Sequence, residues 1–442
     1  MEKLKELGHL YVTVYLSNFA SSMVMPAITD VTMSAVCPGQ DECSLAIYLS
    51  GFQQAIIGLG TVVMMPLFGN LSDQYGRKAL LTLPMTLSII PLVILACSRT
   101  TSFFYAYYVL RTFTAMICEG SVDCLALAYV ADKVLERQRT SEFGILSGVT
   151  TAAFVSGTLA ARFLSTALTF QVAALVSMIA AVYMRILLKE SLPNEENLTQ
   201  PILKSGQDDH CQDDGDLPLK TKESKKIPSI GDIISLLKSS VTFSQAVVVA
   251  FFNSLADGGM QASIMYYLKA RFHFSKNQYA DLMLLIGIAG MASQLLFMPL
   301  LARSVTEEKL LAIGLLGGIA EALLSSVAWS SWVPYATTVL AVVVVFVPPC
   351  LRSIASKQVG PDEQGKAQGC ISGIISLANI ISPLVYSPLT ALFLSEDAPF
   401  DFPGFSVLCI GFATMIAFVQ SVLIRTVPRI SSLKIDSNSI LA

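Results

Sequence analysis

Apolar residues along this chain fall in discrete blocks of about 20 or more, each long enough to cross a hydrocarbon core of about 30 Å as a helix. Lipid offers backbone amides no alternative partner, so blocks of this kind are helical. Twelve of them predict spans at about 8–29, 45–68, 79–97, 103–130, 142–164, 167–188, 241–268, 278–301, 309–328, 332–352, 367–394 and 404–426. Span four carries charges, and spans seven and eight follow each other closely. The expected fold class is an all-α membrane protein of twelve transmembrane helices.

Composition agrees with the pattern. Of 442 residues, 53% are hydrophobic and 14% are charged, against about a quarter charged in soluble domains, and mean hydropathy is +0.62. With the N-terminus in the cytosol, 23 of the 29 Lys and Arg residues fall on the cytosolic side, Arg352 among them. Five lie opposite, and Arg111 lies within span four. This asymmetry predicts that both termini are cytosolic. The first apolar stretch lacks a cleavage pattern and is expected to remain as helix one.

The apolar pattern stops between Lys189 and Pro228, where nine acidic and six basic residues crowd together. Such a stretch buries too little to fold alone. The expected organisation is therefore a six-helix bundle over 1–188 and a cytosolic linker over 189–240. A second six-helix bundle over 241–427 and a cytosolic tail over 428–442 complete it. Ile230, Ile233, Ile234 and Leu237 recur at helical spacing and suggest a short helix on the membrane face or an extension of span seven. The halves resemble each other. Gly144-Ile-Leu-Ser-Gly148 recurs as Gly369-Cys-Ile-Ser-Gly373, and Met65-Pro66-Leu67 recurs as Met298-Pro299-Leu300. Shared order points to a duplicated unit with a site between the repeats.

The segment GNLSDQYGRKALL, Gly69 to Leu81, packs two glycines, an aspartate and an Arg-Lys pair between two spans. It resembles the signature loop between helices two and three of the major facilitator superfamily. AYVADKVLERQRTSEFG (Ala128–Gly144) and GPDEQGKAQG (Gly360–Gly369) are similar to loops of the tetracycline-resistance-like and hippocampus-abundant-transcript-like subgroup. The resemblance implies two six-helix pseudo-repeats and a conformational latch built from Gly69, Asp73, Gly76, Arg77, Lys78 and Asp132. It also implies secondary transport of a small organic solute by alternating access, with proton-coupled efflux or antiport leading. The alternatives are uncoupled facilitation, or a transporter fold kept as a membrane sensor or trafficking protein. One departure weakens the antiport reading: where the antiporter signature has Gly-Pro and paired glycines, the chain has Ser156-Gly157-Thr158-Leu159-Ala160-Ala161.

Charges inside spans cost about 2.5–3.5 kcal/mol each on insertion scales, which makes them functional candidates. Span four holds Arg111, Glu119 and Asp123. At a spacing of four, Glu119 and Asp123 are expected on one helical face, able to share a proton, with Arg111 as counter-charge; a structural charge cluster is the alternative. Asp257 precedes Gly258-Gly259, which suggests a locally broken span seven and a proton or substrate contact. Glu321 reads as structural. Asn18, Gln53 and Gln54 offer solute hydrogen bonds or helix-to-helix contacts. Pro348-Pro349 are expected to kink span ten, and Asn379 and Pro383 to break up span eleven.

Cys37 and Cys43 share a non-cytosolic loop in which a disulfide is plausible. Three scattered histidines make no metal cluster, and no GxxxxGK loop is present. The expected protein is no enzyme and uses no cofactor or metal. Its expected partners are a small-molecule solute, protons and the lipid bilayer, with no nucleic acid, and it is expected to work as a monomer. Neither the solute nor the particular membrane is legible.

Overall fold

The computed structural model describes residues 2–36, 38, 44–191, 237–238, 240–274, 276–395 and 398–424. Cys37, Cys43, nearly all of the linker and the tail lie outside these residues, as does most of the helix expected around residues 230–237. Every regular element among the described residues is helical. In chain order they begin with α1 (Glu2–Val36) and α2 (Ser44–Tyr75). Then α3 (Arg77–Leu87) and α4 (Ile89–Cys97) meet at Ser88, and α5 (Thr101–Cys118) and α6 (Ser121–Lys133) meet at Glu119-Gly120. Next come α7 (Arg139–Phe163) and α8 (Thr166–Leu187).

After the linker, α9 (Val241–Phe272) precedes α10 (Lys276–Ala292), which passes through a π turn (Ser293–Phe297) into α11 (Met298–Leu301). There follow α12 (Glu307–Ser326), then α13 (Val333–Val344) and α14 (Val347–Lys357), joined at Val345-Phe346. The described helices end with α15 (Gln364–Leu394) and α16 (Phe405–Val422).

Ten helical stretches among the described residues are long and apolar enough to cross a membrane. The protein is thus a multi-pass integral membrane protein. The two predicted spans outside this set, 8–29 and 241–268, are helical as α1 and α9. Their polar residues explain the difference: Ser17, Asn18, Ser21 and Ser22 in α1, and Asn253, Ser254, Asp257 and Gln261 in α9. A helix that lines a polar interior carries such residues at the cost of overall apolarity.

Each side of the linker has its own apolar core. Leu10, Phe68, Met85, Tyr129, Phe143 and Met184 belong to one buried cluster, drawn from α1, α2, α3, α6, α7 and α8. Phe243, Leu311, Phe346, Ile354 and Ile371 belong to another, drawn from residues after the linker. Large apolar residues such as Phe154, Ile186, Val339 and Phe412 face outward, as lipid-facing surfaces require.

The recurring motifs meet across the two halves. A Cβ on Gly369 would approach the Met65 carbonyl oxygen at 2.6 Å, and one on Gly373 would meet Pro66 Cγ at 2.9 Å. Reciprocally, a Cβ on Gly144 would collide with the Met298 side chain, and one on Gly148 would meet Leu295 Cδ2 at 2.6 Å. The glycine motif of each half therefore packs on the Met-Pro-Leu motif of the other, α15 on α2 and α7 on the π turn and α11. Small residues let the backbones come this close.

Several local expectations are corrected. Gly258 and Gly259 do not break α9, which runs on to Phe272. They let α15 approach instead: added Cβ atoms would meet Ser382 Oγ at 2.9 Å and the Tyr386 ring at 2.5 Å. Pro383 and Pro388 lie inside an α15 that continues to Leu394. Span ten does break beside its prolines, which occupy the start of α14, where a missing N–H costs least.

Candidate functional site

The turn from α2 into α3 depends on Gly76, at φ 95°, a left-handed conformation that favours glycine. A Cβ there would meet the Glu190 carboxylate at 2.7 Å. That carboxylate accepts the N–H groups of Arg77 at 2.7 Å and Lys78 at 3.1 Å. It thus satisfies donors that a helix N-terminus otherwise leaves open, and its charge suits that pole. Glu190 and Ser191 were not singled out in the sequence. They sit at the start of a charged linker, and no spacing rule connects them to Arg77.

Arg77 is the centre of the cluster, with its side chain 0% exposed. Its Nη2 pairs with Asp73 at 2.5 Å, its Nε donates to Asp132 Oδ2 at 2.9 Å, and Nη1 donates to Ser72 Oγ. Ser191 Oγ donates to Asp132 at 2.9 Å. Asp73 also reaches the other half, where its two oxygens accept the backbone N–H groups of Gly365 at 2.9 Å and Lys366 at 2.8 Å. These are first-turn donors of α15. Gly69 lies against Gly365 so closely that neither position has room for a side chain.

Beside this contact, Arg139 Nη1 donates to the Ser356 carbonyl oxygen at 3.2 Å, and Thr140 Oγ1 donates to Ser353 Oγ at 2.7 Å. The halves are therefore joined at the Arg77 end on both faces. The second half carries an ion pair of its own at the matching end, between Lys357 and Glu307. The signs are reversed: Lys357 stands 225 residues after Asp132, at the same helix end in its half.

Deeper in the bundle lies a cavity of about 720 Å³. Its walls come from α2, the α5–α6 junction, α14 and α15. The floor, towards the Arg77 end, is closed by Met65 (1% exposed), Cys124 and Arg352, and the far rim by the exposed Gly51 and Leu384. At about 1.5 Å per residue, Met65 to Gly51 spans roughly 21 Å along α2.

The predicted site residues divide around it. Gln54, Glu119 and Asp123 line the cavity. Gln53 turns away, donating from Nε2 to the Tyr108 carbonyl at 3.1 Å and Thr112 Oγ1 at 3.0 Å, so it joins helices. Asn18 Nδ2 donates to Asp123 Oδ1 at 3.1 Å. Glu119 and Asp123 do not share a continuous helical face, because Gly120 adopts φ 73° and ends α5 before α6 begins. Glu119 instead pairs with Arg111 at 2.8 Å. Asp257 is exposed part-way along α9.

Arg352 is the largest departure. The charge count placed it among cytosolic residues, yet it lines the cavity. Its Nη1 donates to Gln368 Oε1 and Ser372 Oγ, both at 3.2 Å. Two prolines before it and a lysine after it made the end of span ten look polar, which hid it. Among the described residues no group of three or more His, Cys, Asp or Glu side chains could hold a metal ion.

Comparisons with known proteins follow the same lines. Residues 10–383 match the family described as Major Facilitator Superfamily. The chain is 25% identical over 356 residues to the human protein "Hippocampus abundant transcript-like protein 1", covering 79% of the chain and 65% of that protein. It therefore spans about two thirds of that relative's length. It is 22% identical over 380 residues to "Tetracycline resistance protein, class E" of Escherichia coli, covering 85% of each. The crystal structure of the human organic anion transporter MFSD10 (TETRAN) superposes with a TM-score of 0.76 at 18% identity, covering 95% of this chain and 100% of that one. At that identity the likeness speaks to the fold.

Proposed function

The chain belongs to the Major Facilitator Superfamily, and on that premise we propose that it is a proton-coupled secondary transporter of a small organic solute. It works by alternating access as a twelve-helix monomer of two six-helix repeats. α1 and α9 supply the two spans too polar to stand out by hydropathy. The reciprocal seating of Gly144–Gly148 and Gly369–Gly373 on the opposite Met-Pro-Leu motifs supports a pseudo-twofold between the halves. The positive-inside distribution supports a cytosolic Arg77 end with both termini on that side. The arrangement then corresponds to an outward-facing state, held by the contacts of Asp73, Arg139 and Thr140 across the halves.

The observation that carries the reading is the cavity at mid-bundle, which holds ionisable side chains and is walled by both halves with one end sealed. Such a site between repeats is what rocking halves expose to alternate sides. The names of relatives, tetracycline resistance and organic anion transport, support a small organic solute. For the proton we assign Asp257, an intramembrane carboxylate on α9 that makes no ion pair among the described residues. Glu119 is less suited, because Arg111 neutralises it.

The test is flux of labelled organic solutes by the full chain in liposomes under an imposed pH gradient. Coupled exchange predicts a flux that follows the gradient in the wild type and no longer follows it in Asp257→Asn. Flux indifferent to the gradient is the result for an uncoupled facilitator, the reading favoured by Thr158, Ala160 and Ala161 in α7. Binding without flux would mean a sensor.

A further inference from the structure

The cavity contains two opposite charges that come from opposite halves and do not neutralise each other by contact. Asp123 belongs to α6, in the first half, and Arg352 to α14, in the second. Both line the same space. No direct ion pair joins them across it. Each is held by neutral groups of its own half: Asp123 by the Asn18 amide, Arg352 by Gln368 and Ser372.

This arrangement leaves bonding capacity on both sides. Both side-chain hydrogen bonds of Arg352 leave from Nη1, so Nε and Nη2 make none with a described residue. A guanidinium presents these donors as a planar fork matched to a carboxylate. Asp123 Oδ1 accepts from Asn18, and Oδ2 has no described hydrogen-bond donor. The other acid on the wall, Glu119, is already paired with Arg111. The cavity is therefore dipolar, negative where the first half contributes and positive where the second does. Gln54, Ser376 and Asn379 supply neutral polar groups on the remaining wall.

Holding two charges in mid-membrane without mutual contact is costly, since each is expensive there and direct pairing would recover part of that cost. A ligand that bridges them recovers it instead. We infer that the transported solute is zwitterionic, with its anionic group on Arg352 and its cationic group on Asp123. The cavity volume of about 720 Å³ lies within the range of small-molecule sites. Because one pole belongs to each half, the bound solute ties the two halves together through its own charges. Neither half alone presents a complete site, so the ligand is released when the halves separate around it. This inference rests on the transporter reading for its mechanism but not for its ligand chemistry.

The experiment measures binding and flux separately, using the full chain in lipid nanodiscs and in liposomes. The probes are families on one carbon skeleton: phenylalanine with 3-phenylpropanoate and 2-phenylethylamine, and γ-aminobutyrate with butyrate and butylamine. A trimethylammonium betaine with its singly charged analogues completes the panel. The expected result is that at least one zwitterion binds ten-fold or more tighter than both of its singly charged analogues. Arg352→Gln should then shift preference toward the amine, and Asp123→Asn toward the carboxylate. A misfolded variant cannot produce opposite shifts of that kind.

The inference is overturned if no zwitterion exceeds both analogues, or if the two variants leave charge preference unchanged. The second outcome is what a clasp between the halves, made by Asp123 and Arg352 in another conformation, would give. Binding that passes both criteria with no flux removes the transporter reading and leaves the ligand class standing. Flux of a singly charged solute, with no preference for the zwitterion, does the reverse.

Discussion

Arg77 and Arg352 are both arginines close to the sealed end of the cavity, and their environments assign them opposite roles. Arg77 is saturated, with two carboxylates, a hydroxyl and no exposure. Removing it would leave Asp73 and Asp132, 7% and 6% exposed, buried without their cation. Breaking a buried pair in this way costs about 3–5 kcal/mol. Arg77→Ala should therefore lower the thermal unfolding midpoint in detergent markedly. Arg77→Lys should recover only part of the loss, because an ammonium cannot reproduce the fork to Asp73 and Asp132. Equal midpoints for wild type and Arg77→Ala would show the cluster to be energetically idle.

Legibility at this scale follows locality. Asp73 and Arg77 are four residues apart in a contiguous motif, and the fold brings Asp132 to Arg77. Glu190 is more than a hundred residues from Arg77, and only the folded chain shows that its carboxylate caps α3.

Among the helices, the interruptions matter most. A spacing of four places two residues on one face of one helix, but a single left-handed glycine, Gly120, divides the span, so that Glu119 pairs with Arg111 and Asp123 with Asn18. Conversely, the glycines expected to break α9 are absorbed by its close packing on α15, and α15 itself runs on through Asn379 and Pro383. A sequence marks where a break is affordable, whereas packing against neighbours decides whether it occurs.

The contact of α2 with α15 is the element-scale counterpart of the Arg77 cluster. Asp73→Asn keeps the size of the side chain and removes the charge that suits a helix N-terminus. The variant should shift the resting population toward the state open at the Arg77 end. Cysteines placed beside Ser353 and Gly365 should then react faster with a membrane-impermeant thiol reagent applied from that side. Unchanged reactivity would count against a latch.

In the whole molecule, the recurrence of two short motifs carried more architectural information than any single span. Gly144–Gly148 and Gly369–Gly373 were visible as copies, but not as segments that each pack on the other half. That follows only from their seating on Met298 and Met65. The two contacts between the halves differ in chemistry. One face of the closed end is joined by a carboxylate on backbone amides, the other by a guanidinium on a carbonyl and a pair of hydroxyls. The ion pair of the second half, Lys357 with Glu307, inverts the polarity of Arg77 with Asp132.

The backbone character of the Asp73 contact has a further consequence, for how the protein can vary. A carboxylate held by N–H groups does not read the Lys366 side chain, so that position is free to change its chemistry without losing the joint. Lys366→Ala or Lys366→Glu should leave closure at the Arg77 end nearly as it is. Lys366→Pro, tolerated in the first turn of a helix but lacking the donor, should weaken closure as Asp73→Asn does, measured by the same thiol reactivity. At Lys366 the sealed end would then be robust to nearly every substitution and vulnerable to the one that deletes an amide proton.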